Sequence, residues 1–170
     1  MEGALQRARG FSLFELVIAL ALMAVLTGVF LDRALFYREQ FEKAKMEEVA
    51  ADLRSSLNLR VAELALNNRL NEVHGLAEIN PMDLMVERPA NYLGVLKQND
   101  SQEPRTPGWY YDNRLKEVVY YVDLGRYFAP DAEGKKRASW RITLSPGVDG
   151  QGPPQWARLE VARPYRWFAD

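Results

Sequence analysis

Hydrophobic and polar positions divide this 170-residue chain into three stretches with different periods. From Phe11 to Leu31 the sequence reads FSLFELVIALALMAVLTGVFL, apolar apart from Ser12, Glu15 and Thr27. At ~1.5 Å per residue these 21 residues extend about 30 Å, the thickness of a hydrocarbon core, which predicts a membrane-spanning helix. Beyond it the apolar residues turn periodic. Phe41, Met46, Val49, Ala50, Leu53, Leu57, Val61 and Leu64 recur mostly at steps of three and four, the pattern of an amphipathic helix. Glu39 and Lys43, four apart, predict a local pair on its polar face. Neither Pro nor Gly interrupts residues 29–74, so one helix is expected from Phe11 to about Leu70, with Gly28 as its one loosening point.

Past residue 74 the period changes again. Asn80-Pro81-Met82-Asp83 reads as a cap with Pro at the first helical position, predicting a short helix over 81–87 that stops before Pro89. Leu84, Met85 and Val86 are expected to bury against the long helix. Strand composition follows at Asn91–Leu96, Trp109–Asp112, Glu117–Leu124, Ser139–Leu144 and Ala157–Ala162, each bounded by Gly, Pro, Asn or Asp. Asp112-Asn113-Arg114 reads as a hairpin turn, and Leu124–Ala138 as a loop. The apolar stripe is too short and irregular for sustained coiled-coil heptads, and the strands offer it a surface. The fold class expected is therefore α+β: a long N-terminal helix, half transmembrane and half amphipathic, packed on an antiparallel sheet over about 91–163.

Composition narrows the chemistry. The mean hydropathy of −0.31 is that of a soluble protein and hides the apolar run. There is no Cys, which excludes thiolate metal sites, cysteine nucleophiles and disulfides, and His74 is the sole imidazole. No nucleophile, base and orienting partner form a recognisable set, so no enzymatic activity is expected. Residues 32–170 hold 20 Lys and Arg (22 minus Arg7 and Arg9) against 21 acids (23 minus Glu2 and Glu15), so no nucleic-acid partner is expected. The Lys135-Lys136-Arg137 run reads as a solvated turn.

Glu15 stands out, because a carboxylate inside a spanning helix costs ~2.5 to 3.5 kcal/mol at its centre unless it finds a partner. A cleavable secretory signal would use a shorter apolar core and tolerates such a charge badly. Arg7 and Arg9 ahead of the run predict a cytoplasmic N-terminus, with everything after Asp32 and Arg33 across the membrane.

The stretch Arg9-Gly10-Phe11-Ser12-Leu13-Phe14-Glu15-Leu16-Val17 resembles the N-terminal processing signal of type IV pilins and of the pseudopilins of type II secretion systems. The resemblance covers Gly10 to about residue 60. It implies a leader peptide over residues 1–10, cleavage after Gly10 by a prepilin peptidase, N-methylation of Phe11, and a role for Glu15 in subunit assembly. The new N-terminal charge at Phe11 would lie about one helical turn from Glu15, and the same charge on a neighbouring copy could pair with it. The resemblance further implies a polymerisation helix over 11–31 and a periplasmic pilin-like head over 32–170, in a single-pass inner-membrane protein that becomes a filament subunit. Its implied partners are the prepilin peptidase, other pilin or pseudopilin subunits, an assembly platform protein and a secretion ATPase. Many major pilins carry a Pro just past the middle of this helix; here Asp32 and Arg33 occupy that neighbourhood.

Other candidates are weaker. His74 next to Gly75 reads as a surface capping residue. Asp131, Glu133 and Asp149 fall in loops and are candidate calcium ligands, though their spacing matches no calcium-loop motif; otherwise no cofactor is expected. Aromatic clusters at 109–111, 120–121 and 127–128 read as strand packing, whereas Tyr165-Arg166-Trp167-Phe168 either tucks under the head or forms a contact surface. The alternative function is a membrane-tethered periplasmic ligand-binding module that enters no filament.

Overall fold

A computed structural model describes residues 12–96, 104, 106–145 and 156–168. The chain divides into two compact units, one ending at Arg38 and the other beginning at Glu39. Helix α1 (Leu13–Leu66) contributes to both.

In the first unit α1 opens on a serine cap. Ser12 Oγ accepts the backbone N–H of Glu15 at 3.2 Å, which satisfies one orphan donor of the first turn, and the Ser12 carbonyl accepts the Leu16 N–H at 3.0 Å as the first regular helix bond. None of the side chains from Leu13 to Arg38 is buried; Leu13 is 83% exposed and Phe30 73%. The expected loosening at Gly28 is not seen, and the backbone stays helical through it.

In the second unit α1 buries one stripe: Met46, Ala50, Leu53, Leu57, Val61 and Leu64. Phe41, expected in that stripe, is 65% exposed. Stepping two turns back from Met46 lands on Glu39 rather than Phe41, and Glu39 is the residue turned inward. The helix ends at Leu66, short of the expected 70. Asn68 adopts a left-handed φ of 55°, Arg69 N–H donates to the Leu64 carbonyl at 2.8 Å and Asn68 N–H to that of Ala65 at 3.1 Å, which is a Schellman stop.

Two short 3-10 turns follow. The first, Leu70–Ala77, has no counterpart in the sequence reading and buries Val73 and Leu76. The second is capped as expected, with Asn80 Oδ1 accepting the Met82 N–H at 3.1 Å and Pro81 at its start, but it ends at Leu84 instead of 87. Met85 is extended there and Arg88 folds back to Asp83 at 2.7 Å. Leu84 and Met85 pack on the core, whereas Val86 projects wholly into solvent, against expectation.

The sheet runs β1 (Tyr92–Val95), β2 (Gly108–Asp112), β3 (Glu117–Tyr121), β4 (Arg137–Ser145) and β5 (Trp156–Arg163), in that spatial order. All five expected strands are present. The pairs from β2 to β5 are antiparallel, but β1 runs parallel to β2, so the sheet is mixed and not antiparallel throughout. The twelve residues between Val95 and Gly108 are enough for the crossover that parallel pairing requires. At the junction Trp109 N–H donates to the Asn91 carbonyl at 2.9 Å, and a Cβ on Gly108 (φ 143°) would lie 2.6 Å from that oxygen. Only Gly fits there. The β2–β3 hairpin forms where Asp112 stands, its Oδ1 accepting the N–H groups of Arg114 and Leu115 at 2.9 and 3.0 Å.

One face of the sheet meets the α1 stripe. Trp109, Tyr111, Val118, Tyr120, Ala138, Trp140, Ile142, Ala157 and Leu159 alternate along the strands into this core. The rings of Trp109 and Trp140 lie 5.1 Å apart and are buried completely. The result is an α+β, pilin-like arrangement of a long helix on a five-stranded mixed sheet.

Candidate functional site

Gly10 and Phe11, the expected processing residues, lie outside the described residues. Glu15 lies in the first turn of α1, where its backbone N–H completes the Ser12 cap and its charge suits the positive end of the helix dipole. It is the one ionisable group between Ser12 and Leu31. Around it Leu13, Phe14, Leu16, Val17 and Ile18 are 45–83% exposed. An 18-residue window of α1 has a mean hydropathy of 2.5, so this helix is long and apolar enough to cross a membrane. A surface of this extent and polarity is suited to an apolar environment such as lipid, in which an unpartnered carboxylate is costly.

In the second unit two carboxylates of α1 are engaged internally. Glu39, 1% exposed, accepts the backbone N–H groups of Arg126 and Tyr127 at 3.0 and 2.8 Å and the indole N–H of Trp167 at 2.9 Å. It therefore makes no helix-surface pair with Lys43, which instead reaches Glu47 at 3.9 Å. One turn further, Glu42 accepts the Asp123 and Leu124 N–H groups at 2.6 and 3.2 Å and the Tyr120 hydroxyl at 3.0 Å. Burial and the neighbouring Glu42 charge push the Tyr120 phenol well above its ordinary range. Sequence reading missed both roles. The available signal was the spacing of Glu39 from Met46, which places a carboxylate on the buried stripe.

This pair of carboxylates fastens the 120–127 segment and the end of the described chain to α1. Trp167 is 4% exposed, forms an isolated antiparallel bridge with Phe128, and packs edge-to-face on its ring at 5.1 Å. Phe168 stacks on Tyr127 at 5.3 Å and Tyr165 on Phe128 at 5.8 Å. The terminal aromatics thus tuck against the core.

The calcium candidates do not converge. Asp149 lies outside the described residues. Asp131 Oδ1 accepts the N–H groups of Glu133 and Lys135, each at 2.9 Å, while Oδ2 takes Arg137 Nε at 2.8 Å. Glu133 Oε2 takes Arg137 Nη2 at 2.8 Å. Burial raises the Asp131 carboxyl, but the Lys135 amide and the Arg137 guanidinium outweigh it and hold the group below the ordinary carboxylate range. Arg137, read as part of a solvated basic turn, opens β4 and neutralises both acids. Among the described residues no group of three or more His, Cys, Asp or Glu could hold a metal ion. His74 is exposed, with Nδ1 against the Asn71 carbonyl, as a surface capping residue should be.

No curated protein and no solved structure matches the chain. One family does match, on the apolar helix and the residues just ahead of it, and not on the sheet. Over residues 5–31 the chain carries the prokaryotic N-terminal methylation motif, the prepilin signal of type IV pilins and pseudopilins.

Proposed function

We propose that this protein is a structural subunit, a pseudopilin or minor pilin, of a type II secretion or type IV pilus-like filament. In this reading a prepilin peptidase cuts after Gly10, Phe11 is methylated, and α1 anchors the subunit in the inner membrane with the sheet on the periplasmic side. An assembly ATPase and a platform protein then lift subunits from the bilayer into a filament, in which Glu15 of one copy pairs with the Phe11 amino group of the next. The protein catalyses nothing and needs no cofactor. The observation that carries the reading is Glu15: one carboxylate, in the first turn of α1 within its exposed apolar run up to Leu31, inside the methylation motif. A mere tether has no use for that charge, because it costs insertion energy and brings nothing unless a second chain supplies its partner.

The test is the N-terminal peptide mass of membrane-extracted protein made with and without a prepilin peptidase. A chain beginning at methylated Phe11 only when the peptidase is present is the expected result. A chain left uncut, or cut elsewhere in the apolar run, overturns the reading in favour of a membrane-tethered binding module.

A further inference from the structure

The buried apolar stripe of α1 begins only at Met46. In the two turns before it Glu39 is the one buried side chain, since Gln40, Phe41, Ala44 and Lys45 are exposed and Glu42 and Lys43 half-buried. Over Glu39–Lys45 the helix therefore meets the rest of the second unit through polar groups, and Lys43 adds its ammonium group over the Phe168 ring at 5.9 Å.

Two segments distant in sequence, 126–129 and 165–168, come together on this part of α1, and neither lies in a strand of the sheet. They are tied to each other across the Phe128–Trp167 bridge: the Ala129 N–H donates to the Arg166 carbonyl at 2.9 Å and the Phe168 N–H to the Tyr127 carbonyl at 3.1 Å. They also share one acceptor. Glu39 Oε1 takes both the Tyr127 N–H at 2.8 Å and the Trp167 indole N–H at 2.9 Å, one donor from each segment, while Oε2 takes the Arg126 N–H. The sheet holds only the base of the first segment, where the Val122 N–H donates to the Lys136 carbonyl at 3.1 Å and Lys136 Nζ to the Gly125 carbonyl at 2.7 Å.

We propose that residues 126–129 and 165–168 form one flap, latched to α1 through Glu39, which opens and closes as a unit while the sheet and the Met46–Leu64 stripe stay folded. The shared oxygen makes release cooperative: a donor lost from one segment loosens the site that holds the other, and the two backbone bonds between the segments carry them off together. Closed, the flap keeps Phe128 and Trp167 at 4% exposure each. Open, it uncovers both rings beside the Glu39 carboxylate, an aromatic surface with an acidic edge that exists in that state alone. The flap is independent of the filament reading, since every residue that forms it lies in the second unit.

Hydrogen exchange of the full-length chain in detergent micelles, read amide by amide, tests the flap. Its reporters are the Ala129 and Phe168 amides, which bond across the flap and not to Glu39. Expected is one common exchange rate for the two, faster than that of the slowest amides of β3 and β4. Glu39→Gln should raise both by about tenfold and leave β3 and β4 within about twofold of wild type. Trp167→Phe removes the indole donor and keeps an aromatic ring, and it should speed the same two amides together by a smaller factor. Acceleration confined to Arg126 and Tyr127 would make Glu39 a local acceptor and overturn the flap. So would Ala129 and Phe168 responding by different factors, which means two separate segments, or β3 and β4 rising by the same factor, which means that only global unfolding exposes these amides. If Glu39→Gln fails to fold, Trp167→Phe decides by the same three readings.

Discussion

One helix serves two environments, and the halves of α1 differ in what they do with a carboxylate. From Leu13 to Arg38 no side chain is buried, and Glu15, the acid in the apolar run, takes part in the helix cap through its backbone N–H alone. From Glu39 to Leu66 the same helix buries a stripe of six apolar residues, and its inward acid, Glu39, is saturated by three donors from segments 87 to 128 residues away. The second half is complete within one chain. The first leaves its apolar side chains exposed, and in the filament reading proposed above lipid covers its leucines and valines and a cation of another copy pairs with Glu15.

The largest effect expected is on assembly. Replacing Glu15 by Leu makes the helix more apolar, so membrane insertion should be unaffected, while incorporation into filaments falls to background by sedimentation and immunoblot of sheared fractions. Normal filaments from Glu15→Leu would break the comparison, since the charge would then have no intermolecular purpose.

Next comes the stability of the second unit. Glu39→Ala leaves two backbone N–H groups and an indole N–H without their acceptor in a site closed to water, which should cost about 3 kcal/mol or more. Thermal unfolding in detergent, followed by the buried tryptophans, measures it. Glu39→Gln keeps one acceptor oxygen and should retain part of that loss. Equal stability of wild type and Glu39→Ala would mean that the terminal segment and the 120–127 loop are held by their aromatic contacts alone.

A pair of leucines sharpens the contrast further. Leu57, 1% exposed, should lose about 2 to 5 kcal/mol of folding stability on truncation to Ala. Leu22, 59% exposed in the first unit, should leave the thermal midpoint of the second unit unchanged under the same truncation. A shift for Leu22→Ala comparable to that for Leu57→Ala would show that the two units unfold as one.

Legibility in the sequence followed the range of the interactions involved. The α1 stripe, the Asn80-Pro81 cap and the Asp112 turn depend on neighbours within a few residues, and each was readable. Glu39 was misread as a surface residue because Lys43 offers a plausible local partner, and only the fold brings Arg126, Tyr127 and Trp167 to it. The parallel β1 was read as antiparallel for a similar reason: strand composition carries no direction, and the clue, a Gly at 108 pressed against the Asn91 carbonyl, has meaning only once the two segments are adjacent. At the candidate site the order reverses. The motif around Gly10, Phe11 and Glu15 was legible at once because it is a contiguous local signal of the chain.

The smallest expected effect lies in the loop that a calcium reading would have used. Asp131 is held below the ordinary carboxylate range by Arg137 and the Lys135 amide, with burial opposing them. A depressed folded value means that the ionised form stabilises the native state above the unfolded value of about 3.9, and that this contribution fades as pH falls through the folded value. Between pH 7 and 5 the thermal midpoint should therefore not move on account of this group; below about pH 4 it should fall. Asp131→Asn forfeits the Arg137 pair at every pH, so its midpoint should be lower at neutrality by a small margin and its acid limb flatter. If the acid limbs of the two proteins run parallel instead, Asp131 gains no ionic stabilisation from Arg137. If added calcium raises the wild-type midpoint at neutral pH and not that of Asp131→Asn, the carboxylate is released from Arg137 to bind a cation, and the loop is a metal site after all.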